Sequence, residues 1–103
     1  MSSPDLPVRL SLKAKQDFID ILRYTGETWG PKQVQAYRDK IDSALQLIGR
    51  TPAISRGDGD EAGAHRIFLV GAHVVVYRIE PTRVGVIRIL HQRMLRALHV
   101  GKG

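Results

Sequence analysis

The chain has 103 residues, of which 43% are hydrophobic and 25% charged, and its formal net charge is +6. This length gives one domain with a single core, and the absence of cysteine excludes disulfides and thiolate metal sites. No apolar run approaches the ~20 residues of a membrane span, and the N-terminus lacks a signal-peptide pattern, so we expect a cytoplasmic protein without a membrane partner.

The net charge lies entirely in the last third of the chain. Residues 1–64 carry nine Lys or Arg and nine Asp or Glu, whereas residues 65–103 carry seven cations against Glu80 alone. All four histidines lie in that last third as well. A basic segment of this kind indicates an anionic partner, either a nucleic acid or an acidic protein.

The first half of the chain predicts a short strand followed by a helix. After a loose tail over residues 1–7, residues 8–10 predict a strand that could pair at a sheet edge. Ser11 is suited to cap the N-terminus of the helix that follows. Apolar residues recur at helical spacing over residues 12–29, and the stripe expected to be buried comprises Ala14, Phe18, Ile21, Leu22, Thr25 and Trp29.

A second helix and a sheet complete the predicted fold. Gly30 and Pro31 predict a tight joint to a helix over 31–49, because proline suits the first helical turn. A loop over 50–64 is followed by predicted strands at 66–70, 73–80 and 84–91, and then by a tail over 92–103 that begins with a short helical segment. The predicted class is α+β: a helical hairpin packed on one face of an antiparallel sheet of three C-terminal strands plus the N-terminal strand.

Strand alternation divides the predicted sheet into two faces. A two-residue turn at 71–72 pairs Phe68 with Val75, and a four-residue turn at 80–83 pairs Val75 with Arg88. One face is then purely aliphatic, and we expect the helices to pack on it: Ile67, Leu69, Val74, Val76, Ile87 and Ile89. The other face mixes arginines with apolar and aromatic residues, as a binding surface does, and holds Arg66, Phe68, Val70, Val75, Tyr77, Val86, Arg88 and Leu90.

These residues also have purely structural interpretations. Arg66 and Arg88 are equally consistent with solvated positions, and Tyr77 is more consistent with a packing residue whose hydroxyl is bonded than with a catalyst. The four histidines are spaced too widely for a recognisable metal site, and no nucleotide-binding loop is present. We therefore expect neither a metal ion nor a cofactor.

Several segments, in their order and spacing, resemble the ParE branch of the ParE/RelE toxin superfamily. They are YTGETWG (24–30), RTP (50–52), HRIF (65–68), HVVVYRI (73–79) and VIRILHQRM (86–94). The resemblance extends from Arg9 to about Met94. It implies a RelE/ParE-like fold, with the same strand–helix–helix–three-strand order that the residue patterns predict.

The resemblance also implies a function, that of the toxin in a type II toxin–antitoxin module. Toxins of the ParE branch inhibit DNA gyrase by binding and without chemistry of their own, and their antitoxin is usually a ParD-like ribbon-helix-helix protein with an acidic remainder. We expect a hetero-oligomer of at least two toxins plus two antitoxins that contacts operator DNA only through the antitoxin. An acidic antitoxin would complement the basic sheet electrostatically.

The residues expected to bind the target or the antitoxin lie on the mixed face and just beyond it: Arg66, Phe68, Val75, Tyr77, Arg88, Leu90 and Arg93. The alternative is a RelE-type ribosome-dependent mRNA endoribonuclease, whose catalytic candidates would be Arg66, Tyr77, Arg88 and His91. Alternation places His91 and Arg88 on opposite faces, so this catalytic set is incomplete. A general nucleic-acid-binding module would explain the charge but not the order of the segments.

Overall fold

The computed structural model describes residues 5–55 and 65–94. The elements, in chain order, are β1 (Val8–Leu10), α1 (Leu12–Trp29), α2 (Pro31–Arg50), a short 3-10 turn (Pro52–Ile54), β2 (Arg66–Val70), β3 (His73–Ile79) and β4 (Val84–His91). The predicted order is confirmed, with α2 one residue longer and β3 one residue shorter than expected. Residues 92–94 continue as helix, while most of the predicted loop and most of both tails lie outside the described residues.

Both helices begin where their sequences predict, and α1 also ends there. The Ser11 hydroxyl accepts a hydrogen bond of 3.0 Å from the backbone N–H of Ala14 and so caps α1. Gly30 has a φ of +91°, a conformation that favours glycine, and its N–H bonds the carbonyl of Gly26 at the end of α1. Pro31 follows directly as the first residue of α2. The two helices therefore form the predicted hairpin with no intervening loop.

The four strands form one mixed sheet in the order β1-β4-β3-β2. The strand β1 lies at an edge and pairs with β4 in parallel, while the other two pairings are antiparallel. The register between β2 and β3 is the predicted one, with Phe68 opposite Val75 and Arg66 opposite Tyr77. The N-terminal strand is thus an edge strand of the C-terminal sheet, as expected.

A β-bulge changes the second half of the β3–β4 register. Tyr77 pairs with Val86 as predicted, but Val76 pairs with Arg88, so that Ile87 is an extra residue in β4. The predicted pairing of Val75 with Arg88 is therefore wrong, and Val75 pairs with Ile89 instead. Since one inserted residue reverses the alternation, every β4 residue beyond the bulge changes face.

The helices pack on the face that was expected to be open. The core cluster formed with α1 and α2 contains the side chains of the helix face, defined here as Phe68, Val70, Val75, Tyr77, Val84, Val86 and Ile89. By alternation, the outer face comprises Ile67, Leu69, Val74, Val76, Arg78 and Leu90. The face that was predicted to be purely aliphatic is therefore not the one on which the helices pack. Both faces contain buried positions, because Val74 and Leu90 are buried outside the main cluster.

The stripe of α1 is buried only in part. Ala14 and Thr25 are buried, and Phe18 and Ile21 pack against the core cluster. Trp29, expected in the core, is 70% exposed. No helix among the described residues is long and apolar enough to cross a membrane.

Candidate functional site

Tyr77 is a structural residue of the core. Its side chain has no exposed surface, and its hydroxyl donates a 2.7 Å hydrogen bond to the carbonyl of Pro52. The same oxygen lies 2.7 Å from the Ser55 hydroxyl. The phenol therefore ties the segment after α2 to the sheet, as the packing interpretation predicts, and it is closed to any partner that binds the folded chain.

The side chains of Arg66, Phe68 and Val75 lie on the same face as Tyr77 and do not form an open surface. The Arg66 guanidinium donates to the carbonyl of Ser55, and Val75 is fully buried. Phe68 is half-buried against the core cluster. Four of the seven residues predicted to bind a partner thus lie on the helix face, where the fold itself uses their side chains.

Arg88 is held in a hydrogen-bonded ion pair with Asp17 of α1. Its Nε and one terminal nitrogen donate to the two carboxylate oxygens at 2.8 and 3.0 Å, and the backbone N–H of Ile89 donates to the same carboxylate at 3.0 Å. Burial alone would raise the pKa of Asp17, but these hydrogen bonds and the Arg88 charge hold it below its ordinary value. The Asp17 side chain, 14% exposed, therefore ties α1 to β4 where β1 has ended.

Two histidines and a tyrosine form a cluster where β3 begins and β4 ends. His73 pairs with His91 across β3 and β4, and their ring centroids are 5.3 Å apart in an edge-to-face arrangement. The hydroxyl of Tyr37 on α2 lies 2.5 Å from Nδ1 of His73. Burial and the neighbouring His91 lower the pKa of His73, so this ring is held in its neutral form near neutral pH.

The stability of the fold is expected to decrease as the pH falls through the ordinary histidine pKa of about 6.5. His73 titrates at a lower pH in the folded chain than in the unfolded chain, so the unfolded state takes up a proton first and is favoured. Tyr37, Tyr24 and His91, from α2, α1 and β4, line the small cavity beside the ring. The larger cavity that His73 also lines includes Asp17, Asp20 and Arg88. Urea unfolding over a pH series measures the effect.

The matched control for this prediction is His73→Asn, whose amide can bond the Tyr37 hydroxyl but does not titrate. Its unfolding free energy is expected to depend less on pH than that of the parent chain. An equal loss of stability in both proteins below pH about 6.5 would assign the effect to other groups.

A groove runs from this cluster along α1. One cavity of about 430 Å³ is lined by residues of α1 and β4 that include Asp17, Arg88 and Leu90, and by Met94 after the end of β4. A smaller cavity of about 190 Å³ includes Trp29 and Tyr37, and the two share Tyr24, His73 and His91. We call these residues together the aromatic groove. It brings together Arg88, Leu90 and His91 of the predicted set, and the exposed Arg93 lies next to it in sequence.

The sequence interpretation missed most of this groove. Tyr24 and Trp29 are 65% and 70% exposed, and Met94 is 52% exposed. The position of Tyr24 off the apolar stripe of α1 was the one signal in the sequence that its side chain faces outward. Asp17 and Arg88 are 71 residues apart, so no local pattern could have joined them.

The catalytic candidates of the ribonuclease alternative do not share this groove. Arg88 and His91 line it, but Tyr77 is buried under the 3-10 turn and Arg66 bonds the segment after that turn. Within residues 5–55 and 65–94, no group of three or more His, Asp or Glu side chains is placed to hold a metal ion.

Comparisons of the sequence with known proteins agree on one family. The family model described as the ParE toxin of type II toxin–antitoxin system, parDE, matches residues 8–96. Toxin ParE1 of Caulobacter vibrioides is 36% identical over 95 residues, which are 92% of this chain and 98% of that protein.

Two solved toxin–antitoxin structures share the fold. A chain of the chromosomal ParDE system from P. aeruginosa superposes with a TM-score of 0.72 at 15% identity, over 86% of this chain and 98% of that one. A chain of the RelBE2 complex from Mycobacterium tuberculosis gives a TM-score of 0.61 at 22% identity, over 85% and 99%. The fold is therefore common to both branches, whereas the sequence match selects one of them. This chain belongs to the ParE toxin family of type II toxin–antitoxin systems.

Proposed function

We propose that this toxin inhibits DNA gyrase by binding and catalyses no reaction itself. The observation that carries the proposal is membership of the ParE family. Two of the ribonuclease candidates also have structural partners: the Tyr77 hydroxyl donates to the carbonyl of Pro52, and the Arg88 guanidinium donates to Asp17. A general acid or base must reach the substrate, and a fully buried phenol does not. The proposed site of action is the cytoplasm, where gyrase works.

The proposed antitoxin is a ParD-like ribbon-helix-helix protein that docks on the aromatic groove, in an assembly of at least two toxins plus two antitoxins. Support comes from the toxin–antitoxin assemblies named for both structural neighbours. The exposed Tyr24 and Trp29 side chains in this groove, like the Arg88 that also lines it, are of the residue types that contribute most to binding energy in protein interfaces. Operator DNA would be contacted through the antitoxin.

A supercoiling assay tests the proposed target. The purified chain is added to gyrase, ATP and relaxed plasmid, and we expect supercoiling to stop and to be restored by an equimolar amount of the cognate antitoxin. A type I topoisomerase acting on the same plasmid should be unaffected, which excludes masking of the template. Unaffected supercoiling, together with codon-specific mRNA cleavage in a translation extract, would overturn the proposal in favour of the RelE-type ribonuclease.

A further inference from the structure

A cationic basin lies on the outer face of the sheet, and it shares no lining residue with the two cavities of the aromatic groove. In this part of the sheet the alternate residues of β1, β4 and β3 belong to the core: Val8, Leu10, Val84, Val86, Tyr77 and Ile79. The residues between them therefore face outward. They are Arg9, Gly85 and Arg78, and Gly85 is the direct partner of both arginines.

The glycine leaves a gap between the two arginines. Adjacent strands are about 4.8 Å apart, so the backbones of Arg9 and Arg78 lie roughly 10 Å apart with no side chain between them. A Cβ atom at Gly85 would lie 2.7 Å from Oε2 of Glu80. The carboxylate of the chain itself thus occupies part of this gap.

Among the residues that the structure describes, Glu80 is the one carboxylate in the lining of the basin. It accepts hydrogen bonds from Nε of Arg83 at 2.6 Å and from Nε of Arg78 at 3.2 Å, and these bonds lower the pKa of the carboxyl group. Arg9 is exposed and has no carboxylate partner among residues 5–55 and 65–94. Counted over residues 5–55 and 65–94, the lining of this cavity of about 500 Å³ therefore has three guanidinium groups and one carboxylate.

We propose that this basin binds the phosphate backbone of nucleic acid directly, and that Glu80 limits the affinity. Guanidinium groups pair with phosphate in a bidentate fashion, and those of Arg9, Arg78 and Arg83 line the same basin. Any anionic ligand, phosphate or carboxylate, competes with the tethered Glu80, whose effective concentration is high. A nucleic acid releases condensed counterions on binding, a source of free energy that a short acidic peptide lacks.

The proposal goes beyond gyrase inhibition and is tested separately from it. Binding of a short labelled DNA duplex of arbitrary sequence is measured by fluorescence anisotropy over a salt series. Arg9→Gln is expected to weaken binding and to reduce the slope of log K against log salt by about one. Glu80→Gln is expected to strengthen binding, because it removes the negative charge from the basin.

The matched control is Arg38→Gln, which removes the same charge from an exposed position on α2 behind the opposite face of the sheet. This variant is expected to keep the slope of the parent chain. An equal loss in Arg38→Gln and Arg9→Gln would assign binding to net charge alone and overturn the basin. Competition by polyglutamate as strong as that by unlabelled DNA of equal charge would instead make an acidic protein the ligand. Loss of DNA binding in Arg9→Gln with full gyrase inhibition would separate the two functions.

Discussion

Replacing Trp29 by alanine is expected to weaken binding of the cognate antitoxin by roughly 30-fold, which corresponds to about 2 kcal/mol. The expectation rests on the proposed docking of the antitoxin in the aromatic groove, where Trp29 is the most exposed aromatic side chain. An indole that is 70% exposed contributes little to folding, so the free energy of unfolding should change by no more than about 0.5 kcal/mol. Calorimetric titration with the antitoxin and urea unfolding measure the two quantities.

Leu12→Ala is the matched control for this variant. Leu12 is 83% exposed at the other end of α1 and lines neither cavity of the groove. Its removal also deletes an exposed apolar side chain, yet it should leave the dissociation constant unchanged. If both variants bind the antitoxin as tightly as the parent chain, the antitoxin docks elsewhere and the groove has another role.

Local signals were sufficient to predict the elements, the register of β2 with β3, and the register of β3 with β4 between their turn and the bulge. The register of β2 and β3 follows from a two-residue turn, because such a turn leaves no freedom in how the strands meet. The β3–β4 register on the far side of the bulge could not be derived in the same way. The extra residue of the bulge, Ile87, is one of several aliphatic residues in β4, and the alternation of apolar and polar residues does not show that it is unpaired.

The choice of face failed for a different physical reason. Val74 and Val75 are both fully buried although they point to opposite sides of the sheet. With apolar residues on both faces, the purest aliphatic set does not identify the side on which the helices pack. The helix face also accommodates Tyr77 and Arg66 because their polar groups bond the segment after α2, a partnership that depends on tertiary structure.

These two errors together changed the predicted site. The residues expected to form one binding surface are divided, with Arg66, Phe68, Val75 and Tyr77 supporting the core and Arg88 and Leu90 lining the groove. The charge asymmetry of the sequence is retained in the structure, but part of it lies in the basin of Arg9, Arg78 and Arg83. Since Arg9 comes from the electrically neutral part of the sequence, charge counted along the chain could not have located this basin.

Removing the charge of Arg88 is expected to destabilise the fold. In Arg88→Met the Asp17 carboxylate, 14% exposed, would keep only the N–H of Ile89 as a hydrogen-bond donor, with the charge of Lys13 nearby. Leaving a largely buried charge without its counter-charge costs about 3 kcal/mol or more, but the Arg88 side chain is 35% exposed and solvent screening reduces this to about 1–2 kcal/mol. Urea unfolding of the parent chain and the variant measures the loss.

The conservative control is the double variant Asp17→Asn with Arg88→Met, which removes both charges and leaves an amide oxygen to accept from Ile89. It is expected to recover part of the stability lost in Arg88→Met, because the uncompensated carboxylate is then absent. The pH dependence provides a second readout. The pKa of Asp17 is lowered in the folded chain, so its stabilising contribution is present above the ordinary value of 3.8 and is lost as the pH falls through the lower folded value. Asp17→Asn should remove this acid-dependent component, whereas an unchanged acid transition would mean that the ion pair contributes nothing to stability and that Arg88 is free to serve the groove.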